Sequence, residues 1–133
     1  MNIEAFLLCD AATDQNGKLN VLGAFDNIFA KEIPVRYHAC SIAARVRFSK
    51  IEAGDHTVKI LIIDADGNFI GPKLEGNISV RIGDNAPNAV VNLILNIQNF
   101  ELKQHGQYQI DLAIDGDVKA SLPLYLRPVP QKN

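Results

Sequence analysis

Tryptophan is absent, methionine occurs once, and cysteine only twice, at Cys9 and Cys40. No CxxC pair exists, so neither a dithiol redox motif nor a cysteine zinc site has a basis in the sequence. Basic charge is also short: 13 Lys+Arg against 15 Asp+Glu leave a net charge of −2. Nothing is left over to neutralise a phosphate backbone, which excludes general nucleic-acid binding. No apolar run approaches the ~20 residues that a membrane-spanning helix needs. The runs that occur, such as Ile60 to Ile63, have the length of a strand. Met1-Asn2-Ile3-Glu4 places no basic residue ahead of its short apolar stretch, unlike a secretory signal. A cytoplasmic chain is therefore expected, with Cys9 and Cys40 as a reduced pair in the core.

What is present is enough for one core. The chain has 133 residues, 47% of them hydrophobic, so neither a disulfide nor a metal is needed to hold it. A single domain over residues 1–133 is expected. The hydrophobic period is two almost throughout. Cys40, Ile42, Ala44, Val46 and Phe48 share one side of a strand, while Arg45 and Arg47 take the other. The same alternation marks Val58-Ile60-Ile62, Leu74 to Ile82, Val91-Leu93-Leu95-Ile97, Tyr108-Ile110-Leu112-Ile114 and Val118 to Leu126. No segment holds a helical period over eleven residues or more. Phe25 to Pro34 fits a short helix or an edge strand equally well, and Pro34 ends either.

Turn residues separate the runs. Asn16-Gly17 and Asp115-Gly116 are the dipeptides of tight hairpins whose central residues have positive φ. His105-Gly106-Gln107-Tyr108-Gln109-Ile110 opens the penultimate strand, just ahead of the Asp115-Gly116 hairpin. This resembles the tyrosine corner of immunoglobulin-like domains, in which a tyrosine hydroxyl bonds main chain a few residues upstream. Ile110 stands where antibody domains carry their second cysteine, so the kinship is architectural. The expected fold is all-β: an immunoglobulin-like antiparallel β-sandwich of about eight strands with Greek-key connections.

Catalytic chemistry finds no foothold, and no catalytic residue and no cofactor are expected. His38, His56 and His105 lie on different segments without metal spacing, and no serine sits in a Gly-x-Ser-x-Gly elbow. Asp64-Ala65-Asp66-Gly67-Asn68 has the look of a calcium loop, but Gly71 and Pro72 follow it and no helices flank it. In a second reading, loop aspartates gather at one end of the sandwich, with Asp64, Asp66, Asp115 and Asp117 as calcium ligands. Arg45 and Arg47 are expected to pair with acids on neighbouring strands. Leu61 and Ile63 make the face opposite Val58 too apolar for full solvation, so a cover is expected from the N-terminal segment or a second subunit. Gly23 is expected to allow a bulge or a close backbone approach, and a buried Asp10 would need hydrogen bonds.

The run Cys9-Asp10-Ala11-Ala12, then Gly17 to Asp26, with Arg47-Phe48, Gly54-x-His56 and Asp64-x-Asp66-Gly67, resembles a bacterial family of small β-sandwich proteins of unknown function. That resemblance implies a compact sandwich and brings no catalytic residues with it. The functional expectation is a non-enzymatic binding or assembly module that acts through protein–protein contacts, with a protein partner or self-association. A calcium- or small-ligand-binding sandwich is the alternative.

Overall fold

A computed structural model of the chain describes residues 1–130. Nine strands form: β1 (Asn2–Gln15), β2 (Lys18–Ala24), β3 (Asn27–Phe29), β4 (Val35–Ser49), β5 (Gly54–Ile63), β6 (Phe69–Val80), β7 (Asn88–Leu102), β8 (Gly106–Ile114) and β9 (Asp117–Arg127). One 3-10 turn, Lys50–Glu52, links β4 to β5. Among the described residues no helix is long and apolar enough to cross a membrane.

The strands make two sheets, ordered β2-β1-β4-β7 and β3-β9-β8-β5-β6. The inward faces follow from the alternation: Ile42, Val46 and Phe48 of β4 meet Ile60, Ile110, Leu112 and Leu124 of the opposite sheet in one core. The order β1-β4-β7 over β9-β8-β5 is that of strands A-B-E over G-F-C in immunoglobulin-type sandwiches. The antiparallel sandwich expected from the sequence is formed, with one parallel pair added at its edge. β3 runs parallel to β9, pairing Asn27 with Tyr125 and Phe29 with Arg127. The ambiguous Phe25–Pro34 segment is thus this three-residue strand, followed by a cis Ile33–Pro34 bond.

Both predicted hairpin turns have the backbone their sequences call for. Asn16 and Gly17 have φ of 53° and 80°, and Asp115 and Gly116 have 54° and 84°. The tyrosine corner is formed as well. The Tyr108 hydroxyl donates to Gln104 O at 2.5 Å and accepts from Gln104 N at 3.3 Å. It pins the β7–β8 connection where the chain crosses between sheets.

The N-terminal hairpin does something the periodicity does not announce. β1 pairs with β4 only as far as Cys9, opposite Ser41, and beyond that with β2 alone. The hairpin then folds back over the outer face of the four-stranded sheet. Its tip is held there: Arg45 Nη1 donates to Gly17 O, and Asn92 Nδ2 to both Gly17 O and Asp14 Oδ2. Cys9 and Ala43 are 0% exposed yet lie outside the main core, beneath this arm. The bend sits at Gly23, whose φ is +66°; a Cβ there would lie 2.5 Å from Asp10 Oδ2. Gly23 thus permits a close approach, as expected. Asp10 is exposed rather than buried. The expected cover over Leu61 and Ile63 is not what the N-terminal segment provides, since it lies on the other sheet. Cys9 and Cys40 are both free and buried. Burial pushes the Cys40 thiol up to about 11, so it stays protonated and unreactive at neutral pH.

Candidate functional site

The four aspartates proposed as calcium ligands do not meet, and the sheet register is the reason. Asp64 follows β5, after Ile63. Asp115 sits at the opposite end of the same strand, where its N–H bonds Thr57 O. Thr57 and Ile63 are separated by six residues of extended chain, about 20 Å. The Asp64-Asp66 pair and the Asp115-Asp117 pair therefore occupy opposite ends of the five-stranded sheet. Asp64 Oδ1 already accepts the Asp66 and Asn68 N–H groups at 2.9 Å each, which makes the loop a self-capped turn. No group of three or more His, Cys, Asp or Glu side chains among the described residues is placed to hold a metal.

Asp115 serves a different arrangement. Its Oδ2 lies 2.6 Å from His56 Nδ1, while His56 Nε2 lies 2.6 Å from Glu52 O. The ring stacks on Phe48, with centroids 4.9 Å apart. The hydrogen bond to Asp115, followed by that to the Glu52 carbonyl, raises the His56 pKa, and His56 in turn lowers that of Asp115. Both ring nitrogens face acceptors, so the imidazolium is the form that satisfies both. A general base needs a free nitrogen, and this histidine has none. Asp115 and His56 thus close a loop-to-strand junction.

Arg45 and Arg47 pair as expected, both with Glu4. Arg47 Nε lies 2.7 Å from Glu4 Oε2 and Arg45 Nε 3.1 Å from Oε1. Arg45 Nη1 also donates to Asn92 Oδ1, and Arg47 Nη1 to Asn88 Oδ1. Both arginines are thus engaged by Glu4 and by asparagines of the neighbouring strand.

A cleft of about 600 Å³ opens between the Phe69 end of β6 and the Leu102 end of β7. Three irregularities shape it. β6 carries a register shift around Gly71 (φ +77°), β7 carries Asn99 at φ +52°, and the β7–β8 connection carries the tyrosine corner. Asp64, Asp66, Glu101 and exposed Phe69 line it. Several of its polar groups are already paired. Glu101 meets Arg36, the Tyr108 hydroxyl meets Gln104, and His105 Nε2 lies 3.0 Å from Ala30 O. The recess holds no nucleophile paired with a free base.

The remaining feature is β7 itself, an edge strand of fifteen residues. Its inner side bonds β4 from Asn88 to Leu102. The direction of its outer groups follows from one bond. Phe25 N–H donates to Leu8 O at 2.9 Å, so Leu8 turns its backbone groups toward β2. Alternate residues of an antiparallel ladder turn to opposite sides. Leu8 stands opposite Ile42, and Ile42 opposite Leu95. Ile42 and Leu95 therefore turn toward each other, and Asn92, Ile94 and Asn96 turn their N–H and C=O groups outward. From Asn88 to Phe100 there is no charged residue, proline or glycine.

Natural edges are usually guarded by such residues or by shortness. The other edges here are. β6 has Gly71, Pro72 and Lys73 at its bulge, β3 has three residues, and β2 is folded away beginning with Lys18. Sequence reasoning placed the alternation of β7 and missed its edge position. The uncharged run was the available signal.

The family model described as DUF6941, a family of unknown function, matches residues 4–127. Among curated proteins no match is found. With the match running from the first strand to the last, the chain belongs to the DUF6941 family.

Proposed function

We propose that this protein is a non-enzymatic assembly module that docks by strand addition at the free edge of β7. The observation that carries the reading is the long edge from Asn88 to Phe100, which presents outward backbone groups with no charge, proline or glycine to block a further strand. Main-chain bonds would supply affinity, and the half-buried Val91 and Leu95 at the rim would supply apolar contact for the added strand. The His56, Arg45 and Arg47 clusters support a structural role for the polar groups, because each is closed by internal partners.

Residue-resolved amide exchange tests this. The probe is the Asn88–Gln98 peptide with terminal lysines for solubility. The Asn92, Ile94 and Asn96 amides are expected to slow at least tenfold when protein concentration or peptide is raised. Exchange of these three amides at unprotected rates under every condition would overturn the reading.

A further inference from the structure

The β7 edge is nearly the same read in either direction. About Ile94 the sequence runs Val90-Val91-Asn92-Leu93-Ile94-Leu95-Asn96-Ile97-Gln98. We infer that the strand added to β7 is β7 of a second copy of this chain, antiparallel, with the two-fold axis passing through Ile94. This rests on the strand-addition reading and names its occupant. In that register Ile94 faces the partner's Ile94, Leu93 the partner's Leu95, Asn92 the partner's Asn96, and Val91 the partner's Ile97. Apolar residues meet apolar ones and asparagine meets asparagine at each of these positions. A foreign strand would require no such symmetry in β7.

The faces and charges agree. Val91, Leu93, Leu95 and Ile97 belong to the core side, where Val91 and Leu95 are only partly buried for want of a neighbour. A second β7 continues that layer. Ile94 turns its backbone groups outward, so the central pair exchanges two hydrogen bonds. Asp84 precedes β7 and Lys103 follows it. Antiparallel copies bring each Lys103 to the end that carries the partner's Asp84. Glu101, also near that end, is engaged by Arg36 of its own chain. Moving the axis one residue, to Leu93, sets Asn92 against Ile94 and breaks the pattern. The two four-stranded sheets become one sheet of eight, and the two-fold leaves no β7 edge for a third copy.

Light scattering and cysteine cross-linking test the inference. Wild type is expected at twice the chain mass of 14.6 kDa. Ile94 lies on the outer face, so Ile94→Lys charges the edge without entering the core; it is expected to weaken association at least 100-fold. Ile94→Cys is expected to form an intermolecular disulfide on oxidation, because a residue on the axis faces itself. The ~5.5 Å Cα separation of a hydrogen-bonded pair lies within disulfide range. Val90→Cys is expected not to cross-link alone, since its two copies stand about 27 Å apart. Val90→Cys together with Gln98→Cys is expected to cross-link. The native thiols are buried and do not interfere. Should Ile94→Lys fail to fold, Val90→Glu and Gln98→Lys serve instead: each alone weakens the dimer and the two together restore it. A wild type that stays monomeric at ~100 μM, or Val90→Cys that cross-links as readily as Ile94→Cys, overturns the inference. Monomeric wild type whose edge amides the peptide still protects overturns the second copy alone. Monomer with unprotected amides overturns strand addition too.

Discussion

Tyr108→Phe isolates the tyrosine corner, because it removes one oxygen and leaves the buried ring in place. Two hydrogen bonds go, at 2.5 Å to Gln104 O and 3.3 Å to Gln104 N. A neutral intramolecular hydrogen bond contributes about 1 kcal/mol net. The 3.3 Å bond is long, and Gln104 is exposed, so water can take up both main-chain groups. The expected cost is therefore about 1–1.5 kcal/mol, well below the ~3–5 kcal/mol of deleting a buried aromatic ring. For a chain of this length that is roughly 3–7 °C of unfolding midpoint. The assay is urea and thermal unfolding, run in an Ile94→Lys background so that association does not enter the midpoint. Gln104→Ala is the control: the hydroxyl binds its main chain, so this variant should unfold like its parent. A Tyr108→Phe protein within ~0.3 kcal/mol of its parent, or a Gln104→Ala protein equally weakened, would refute the reasoning.

Three further outcomes are expected. The folded pKa of His56 lies above the ordinary 6.5 through its bond to Asp115, so the stabilisation is complete below that value and is lost as pH rises through the folded pKa. Stability curves of wild type and His56→Gln should accordingly converge as pH is raised from 6.5, and an NMR titration placing His56 at or below 6.5 would contradict this. Gly23→Ala should cost about 1–2 kcal/mol for its left-handed backbone, and adding Asp10→Ala should return only the part due to the contact with the carboxylate, as urea unfolding can measure. Arg45→Met should release the hairpin tip, speed exchange at Lys18 and expose Cys9 to a thiol reagent, while Cys40 stays protected in the core; unchanged Cys9 reactivity would argue against the clamp.

Strands and tight turns were legible because their signals are local. The period of two in β4, β7 and β8, and the Asn-Gly and Asp-Gly pairs, report directly on residues next to each other in sequence. The tyrosine corner was legible for the same reason, since Tyr108 and Gln104 are four residues apart. Register across strands was not. The four aspartates were expected to meet because hairpin arithmetic does not say that the loops after β5 and after β8 lie at opposite ends of an antiparallel pair. The folded-back hairpin depends on Arg45 meeting Gly17, 28 residues away. β3 was ambiguous because three residues carry too little period to tell strand from helix, and its partner β9 lies about a hundred positions on. The edge position of β7 likewise belongs to sheet order.

The parallel pairing of β3 with β9 bears on how the domain meets tension. A pull along Asn27–Phe29 against β9 draws these two strands lengthwise past each other. The bonds from Tyr125 N to Asp26 O and from Ala30 N to Arg127 O, with Arg127 Nε on Asn27 Oδ1, must then fail together. A hairpin such as β8–β9 opens from its mouth one rung at a time. The shortest strand of the fold, at the outer edge of the five-stranded sheet, is thus the one whose bonds share a lengthwise pull among them.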